Sequence, residues 1–178
     1  LTGGGGRAAI QKNRSEGQLC VQVMRGTTVT CQGGYSGAGI GGSYAIRYFG
    51  TTYYNIDMYG HGVNMHFGSQ TNPSLWSGTI IAKGGDGGAG IGGGCWKSLQ
   101  DMDGDTAAYN INIYGGKINA HGGYNGAGIG GGQYVPARDI TITGGEITAH
   151  GTHGAAIGGG RWCHGQNITV TDAKLKLT

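Results

Sequence analysis

Two stretches of the chain are near copies of one another: NINIYGGKINAHGGYNGAGIGGG begins at Asn110, and DITITGGEITAHGTHGAAIGGG begins at Asp139, 29 residues later. Residues 26–42 and 78–94 repeat the second half of this unit, and residues 55–62 and 167–177 repeat the first half. The glycine motif starts at Gly37, Gly88, Gly126 and Gly154, so its spacings are 51, 38 and 28 residues. Tandem repeats of this length are typical of solenoids, in which each unit packs only on its neighbours.

Within one unit, apolar residues alternate with polar residues or glycine. Ile140 and Ile142 share a face, as do Ile147 and Ala149, and Ala127 and Ile129. Three short alternating segments, separated by Gly-Gly corners, indicate three strands per coil. Because one coil cannot bury its inward residues, coils must stack about 4.8 Å apart. The sequence therefore predicts an all-β fold: a single-stranded parallel β-helix with three strand faces and about 28–29 residues per coil.

The long spacings require insertions, which we place at about residues 63–77 and 95–109 of a single domain, 1–178. An alternative alignment places residues 63–68 on residues 118–123. We expect the chain to be a piece of a longer or processed protein.

Composition excludes several classes of protein. The 43 glycines show no triplet period, which excludes collagen, and regularly placed isoleucine and tyrosine argue against a disordered linker. The net charge is only +3 and there is no basic run, so we expect no nucleic-acid partner. No apolar stretch approaches the roughly 20 residues of a membrane-spanning helix.

Units of the form GGxxGAGIGGG…NITITGG resemble the glycine-rich repeats of large secreted or cell-surface proteins of anaerobic gut bacteria. The resemblance covers roughly residues 25–170 and is closest at residues 109–160. It implies a β-solenoid in an extracellular or cell-surface protein.

The glycine motif also matches the dinucleotide-binding pattern, as Gly126-x-Gly128-x-x-Gly131. That site requires a helix after the glycines, whereas a strand pattern follows here, and the motif recurs four times. We therefore interpret the motif as a structural strand. Its outward glycines, such as Gly126, Gly128 and Gly130, predict a smooth face for self-association into a homo-assembly.

Two groups of side chains are candidate metal sites. Asp101, Asp103 and Asp105 alternate around a glycine and could bind Ca²⁺, the one cofactor we consider; the alternative is a solvated acidic turn. His121 and His150 align in adjacent coils, with His153 nearby, and could bind a divalent metal; the alternative is an exposed polar ladder.

An aromatic residue follows each glycine motif, at Tyr44, Trp96, Tyr134 and Trp162. A row of exposed rings beside hydroxyls and amides could bind the faces of sugars, so a polysaccharide or other glycan is the expected ligand. The alternative is that these rings cover the solenoid or pack under its insertions.

The leading hypothesis is a non-catalytic, rigid structural or adhesive module. One alternative is a polysaccharide lyase or glycoside hydrolase, in which Asp57 and Asp86, with His61 or His66, would form the active site. Another is a self-assembling surface or filament subunit. The four cysteines allow a disulfide between Cys95 and Cys163 or between Cys20 and Cys31, or a buried free thiol at Cys31.

Overall fold

The computed structural model describes residues 1–12, 17–44, 60–96 and 107–178, and over these ranges it is built from three parallel sheets of five strands. Sheet 1 contains β1 (Ile10–Gln11), β4 (Ile40–Gly41), β7 (Ile91–Gly92), β10 (Ile129–Gly130) and β13 (Ile157–Gly158). Sheet 2 contains β2 (Leu19–Val21), β5 (Val63–Phe67), β8 (Ala108–Ile113), β11 (Ala137–Ile142) and β14 (Gly165–Val170). Sheet 3 contains β3 (Thr28–Gln32), β6 (Thr79–Lys83), β9 (Lys117–His121), β12 (Gly145–His150) and β15 (Ala173–Leu177).

The chain visits the three sheets in turn, and each strand pairs with the strands one coil before and one coil after it. Ile111, Ile140 and Ile168 are consecutive partners in sheet 2, separated by 29 and 28 residues. These observations confirm the predicted parallel β-helix with three strand faces.

Columns of identical or similar apolar side chains fill the interior. Ile40, Ile91 and Ile129 are stacked partners in sheet 1 and are fully buried. In sheet 3, Cys31 lies in a column with Ala82, Ala120 and Ala149, and all four are fully buried. Each buried isoleucine contributes roughly 1.5–3 kcal/mol to folding. Because inward positions align between coils, every coil supplies the apolar surface that its neighbours need.

A left-handed residue interrupts the strands of sheet 2 at one height of the coil. Asn64, Asn110, Asp139 and Asn167 have φ values of 53°, 54°, 54° and 50°. The Asn110 Nδ2 donates to Asn64 Oδ1 at 2.8 Å, and the Asn167 Nδ2 donates to Asp139 Oδ1 at 3.0 Å. Asparagine and aspartate tolerate this conformation better than most residues do. We call these four residues the Asn column.

The glycines of sheet 1 are not on an outer face, so the predicted smooth surface is wrong. Gly126, Gly128 and Gly130 are all buried. A Cβ on Gly128 would lie 2.7 Å from the His150 backbone nitrogen in sheet 3. The short strands therefore pass directly over the backbone of sheet 3, and only glycine leaves room for that approach.

The predicted insertion at residues 63–77 is also too long. Val63–Phe67 forms β5, in which Met65 and Phe67 are fully buried. Because β5 pairs with β8, the alternative alignment of residues 63–68 on residues 118–123 is wrong as well. The non-repeated loop comprises only residues 68–78, between β5 and β6.

The second insertion has narrower bounds on both sides. Cys95 and Trp96 are buried, and residues 108 and 109 belong to β8. Residues 97–106 lie outside the described residues.

Candidate functional site

Two of the four aromatic residues predicted to contact sugar come together. The rings of Tyr134 and Trp162 are 4.8 Å apart and nearly parallel, with an interplanar angle of 11°. Both residues have a left-handed backbone, with φ values of 61° and 66°. The Trp162 side chain is 51% exposed, so a broad apolar surface is open to solvent.

A hydrogen-bonded arginine adjoins this ring pair. The Arg161 guanidinium carbon lies 3.9 Å from the centre of the Trp162 ring, a cation–π distance. Its Nη1 donates to Asn125 Oδ1 at 3.1 Å, and its backbone nitrogen donates to the Asn125 carbonyl at 2.9 Å. The arginine is therefore held in place by the preceding coil.

A second ring pair lies on the other side of Asn125. His153 lies over Tyr124, with ring centres 4.2 Å apart, and both side chains are exposed. The sequence alignment stacks these positions but gives no sign that the rings adjoin Arg161. We call Tyr124, Asn125, Tyr134, His153, Arg161 and Trp162 the ring surface.

Trp96 is not part of any exposed row, contrary to prediction. Its side chain is 1% exposed, its Nε1 has no hydrogen-bond partner, and its backbone nitrogen donates to Gln133 O at 3.0 Å. Unlike Tyr134 and Trp162, Trp96 is absent from the described residues with positive φ. Its backbone therefore lacks the left-handed turn that accompanies the two exposed rings.

Tyr44 lies apart from the ring surface. It follows β4, whereas Trp162 follows β13, and two further strands of sheet 1 separate them. Tyr44 is half-buried and lines a small cleft of about 220 Å³ with Gly6, Arg7, Gln11 and Ser43. The four predicted sugar-contacting rings therefore do not form one row.

The three predicted histidine ligands do not gather around one point. The rings of His121 and His150 are 5.9 Å apart, but His153 lies against Tyr124. The Nδ1 of His150 is 2.9 Å from Thr178 Oγ1, and burial, then His150 and Lys83, lower the pKa of His121. Within the described ranges, no three His, Cys, Asp or Glu side chains form a group that could hold a metal.

The calcium prediction falls on residues beyond those the structure describes. Asp101, Asp103 and Asp105 belong to the undescribed range 97–106. Calcium binding there stays a prediction.

The residues predicted for a catalytic alternative are dispersed. Asp57 lies outside the described residues, and Asp86 is exposed at the end of sheet 3. His61 is buried, and its Nδ1 accepts a hydrogen bond from the Ala107 nitrogen at 3.4 Å. His66 is in sheet 2, where its Nδ1 is 3.1 Å from the Tyr114 hydroxyl and burial lowers its pKa.

All four cysteines are free, so neither disulfide is formed. Cys20 is exposed, whereas Cys31 and Cys95 are buried. Burial raises the pKa of the Cys95 thiol to about 12 and that of Cys163 to about 11, and it also raises the pKa of Cys31.

This difference predicts selective thiol labelling. At pH 8 the raised pKa values keep Cys95 and Cys163 protonated, and the thiolate is the reactive species. We expect a disulfide-exchange reagent to label Cys20 at least about tenfold faster than the other three thiols. Mass spectrometry of digests at successive times measures the rates, and protein unfolded in guanidinium is the control, in which all four should react. Rapid labelling of Cys163 in the folded protein would contradict the prediction.

The largest described cleft was missed by the sequence analysis. It has a volume of about 810 Å³ and lies where sheet 2 turns into sheet 3, under the loop of residues 68–78. Glycine corners at residues 115–116 and 144–145 form one side, and Lys117 and Glu146 lie next to them. We call this cleft the corner groove. Its signal in the sequence is the loop that breaks the repeat between two regular strands.

Comparison with known proteins agrees with the fold. The family model described as beta helix repeat matches residues 23–44, 76–95, 111–133 and 140–161. Each matched segment includes a strand of sheet 3 and the following strand of sheet 1. No curated protein and no solved structure matches the chain. Among the described residues, no helix has the length and apolar character needed to cross a bilayer.

Proposed function

Because the chain is a parallel β-helix with beta helix repeats, we propose that it is a non-catalytic, rigid module of an extracellular or cell-surface protein that binds glycan. The ring surface carries the contact with the glycan. Protease treatment of intact cells tests the location, because a surface module is cut without lysis and an internal one is not.

The coil stack supports the scaffold role. Every interior strand of the three sheets is paired on both sides, and the same apolar columns continue from coil to coil. Interiors of this kind are close-packed and resist deformation. A side chain on such a coil therefore keeps a fixed position relative to side chains on the next coil.

The single observation that supports glycan binding is the stacked pair of Tyr134 and Trp162. An exposed indole presents a flat apolar face, which suits the C–H face of a pyranose ring. Arg161 and Asn125 are beside it and supply donors and an acceptor for hydroxyl groups. Since Tyr134 supports the indole from the preceding coil, little side-chain entropy is lost on binding.

We expect Trp162→Ala to weaken glycan binding by at least about tenfold, because buried aromatic anchors dominate many interfaces. A glycan array identifies the ligand, and calorimetric titration of that ligand measures the change. Tyr35→Ala is the matched control, because it removes a 74% exposed ring that belongs to another coil. Unchanged binding by Trp162→Ala, or an equal loss with Tyr35→Ala, would overturn the proposal.

A further inference from the structure

The corner groove exists because one coil departs from the repeat. The chain passes from sheet 2 to sheet 3 through residues 114–116 between β8 and β9, and through residues 143–144 between β11 and β12. Between β5 and β6 it uses residues 68–78, and this longer loop extends over the two following corners. In solenoids, insertions of this kind tend to collect on the binding face.

The loop is held in a defined shape by its own hydrogen bonds. The Asn72 nitrogen donates to Ser69 Oγ at 3.3 Å, and the Ser77 hydroxyl donates to the Ser74 carbonyl at 2.8 Å. The Arg25 nitrogen, in the preceding coil, donates to the Leu75 carbonyl at 2.9 Å. A groove wall that is already ordered lowers the entropic cost of binding a ligand.

The lining is polar and carries no excess charge. Lys117 Nζ and Glu146 Oε1 are 3.6 Å apart, and the two side chains are 51% and 60% exposed. They form the charged part of the lining, and their charges cancel. The other polar side chains are hydroxyls and one amide: Ser69, Gln70, Ser74, Ser77, Thr79 and Thr143. A ligand that both donates and accepts hydrogen bonds, and has no net charge, fits this lining.

The groove offers one aromatic ring and no free strand edge. Tyr114 lines the groove, and its hydroxyl is 3.1 Å from His66 Nδ1. Beside the groove, β6, β9 and β12 are each paired on both sides, so a peptide cannot add to sheet 3 there as a further strand. The volume of about 810 Å³ lies in the usual range for ligand clefts, roughly 300–1,000 Å³.

We propose that the corner groove is a second binding site, separate from the ring surface, and that it takes a neutral oligosaccharide. Lys117 donates to hydroxyl groups of the sugar, Glu146 accepts from them, and Tyr114 contacts its apolar face. This site goes beyond the proposed function, because it does not require any contact at Trp162.

Gly115 provides a sharp test, because a side chain there would fill the groove without straining the fold. Its φ is not in the left-handed region, and a Cβ would meet only Pro73 Cβ, at 3.9 Å. We expect Gly115→Leu to weaken binding at the groove by at least about tenfold. Gly4→Leu is the matched control, since a Cβ at Gly4 would meet no atom within 4 Å. Glu146→Gln removes the charged acceptor and should weaken binding by about tenfold.

The probes are neutral fragments of glucan, mannan, xylan and galactan, with acidic polygalacturonate fragments and a mixed peptide library for comparison. Amide chemical shifts of the ¹⁵N-labelled protein map each site, and melting curves verify that every variant is folded. We expect neutral fragments to shift amides of residues 69–77, 114–117 and 143–146. These shifts should vanish in Gly115→Leu and persist in Gly4→Leu and Trp162→Ala.

Four results would overturn this inference: no neutral fragment shifts these amides, the shifts survive Gly115→Leu, only acidic fragments or peptides produce them, or Trp162→Ala abolishes them. Loss of binding at the ring surface alone, with the groove shifts intact, would instead overturn the proposed function. The two proposals can therefore fail separately.

Discussion

Gly130→Ala is expected to destabilise the protein by about 4 kcal/mol or more, which places it among the most damaging single substitutions. Gly130 has a φ of 134°, a conformation that L side chains rarely adopt. An added Cβ would also collide with the carbonyl group of Gly158 in the next coil, and it would lie 3.0 Å from Ala137 Cβ. Because the obstacle is backbone, the two coils would have to move apart.

Gly158→Ala separates the two causes. Gly158 has nearly the same backbone, with a φ of 139°, but the nearest atom to its Cβ would be Ala155 Cβ, at 3.3 Å. It therefore carries the backbone strain without the collision, and we expect a loss of about 1–3 kcal/mol.

Urea denaturation followed by circular dichroism compares Gly130→Ala and Gly158→Ala with the parent protein. If Gly130→Ala is expressed only as insoluble protein, the result still agrees with the prediction provided that Gly158→Ala folds. Equal stability of the two variants would show that the stacked carbonyl is not the obstacle.

Asn110→Ala has the second-largest expected effect, a loss of about 2–3 kcal/mol. The side chain donates to Asn64 Oδ1 at 2.8 Å and accepts from Asn112 Nδ2 at 2.8 Å, so two hydrogen bonds disappear. Alanine must also adopt the left-handed φ of 54°, which favours asparagine or glycine.

Asn110→Gly is the control, because glycine adopts this φ without strain but makes no side-chain hydrogen bond. We expect Asn110→Gly to be about 1 kcal/mol more stable than Asn110→Ala. Thermal and urea unfolding measure the difference. A glycine variant that is less stable than the alanine variant would show that backbone strain does not determine the cost at this position.

The outline of the fold could be predicted because the repeat is strict where side chains meet. Alternation within DITIT and GEITAH places Ile142, Ile147 and Ala149 inside, and all three are fully buried. The same alternation is misleading at Gly128. A glycine has no side chain to show its environment, and the approach of sheet 1 to sheet 3 arises only when the coil closes.

The site was less predictable, because it depends on departures from the repeat. Trp96 and Trp162 follow similar glycine runs, yet one ring is buried and the other is exposed. The difference accompanies a change in backbone conformation that the aligned letters do not show. At β5 the missed signal was Asn64, which precedes Met65 and Phe67 just as Asn110 precedes Ile111 and Ile113.

The matching positions of Ile129 and Ile157 in sheet 1 have a consequence for how such a protein can change in length. The 28 residues from one to the next form a closed circuit, so gain or loss of a coil lengthens or shortens the rod by about 4.8 Å. The loop of residues 68–78 occurs once in the described chain. Duplication of an ordinary coil would therefore extend the reach of the rod while the number of corner grooves stays at one.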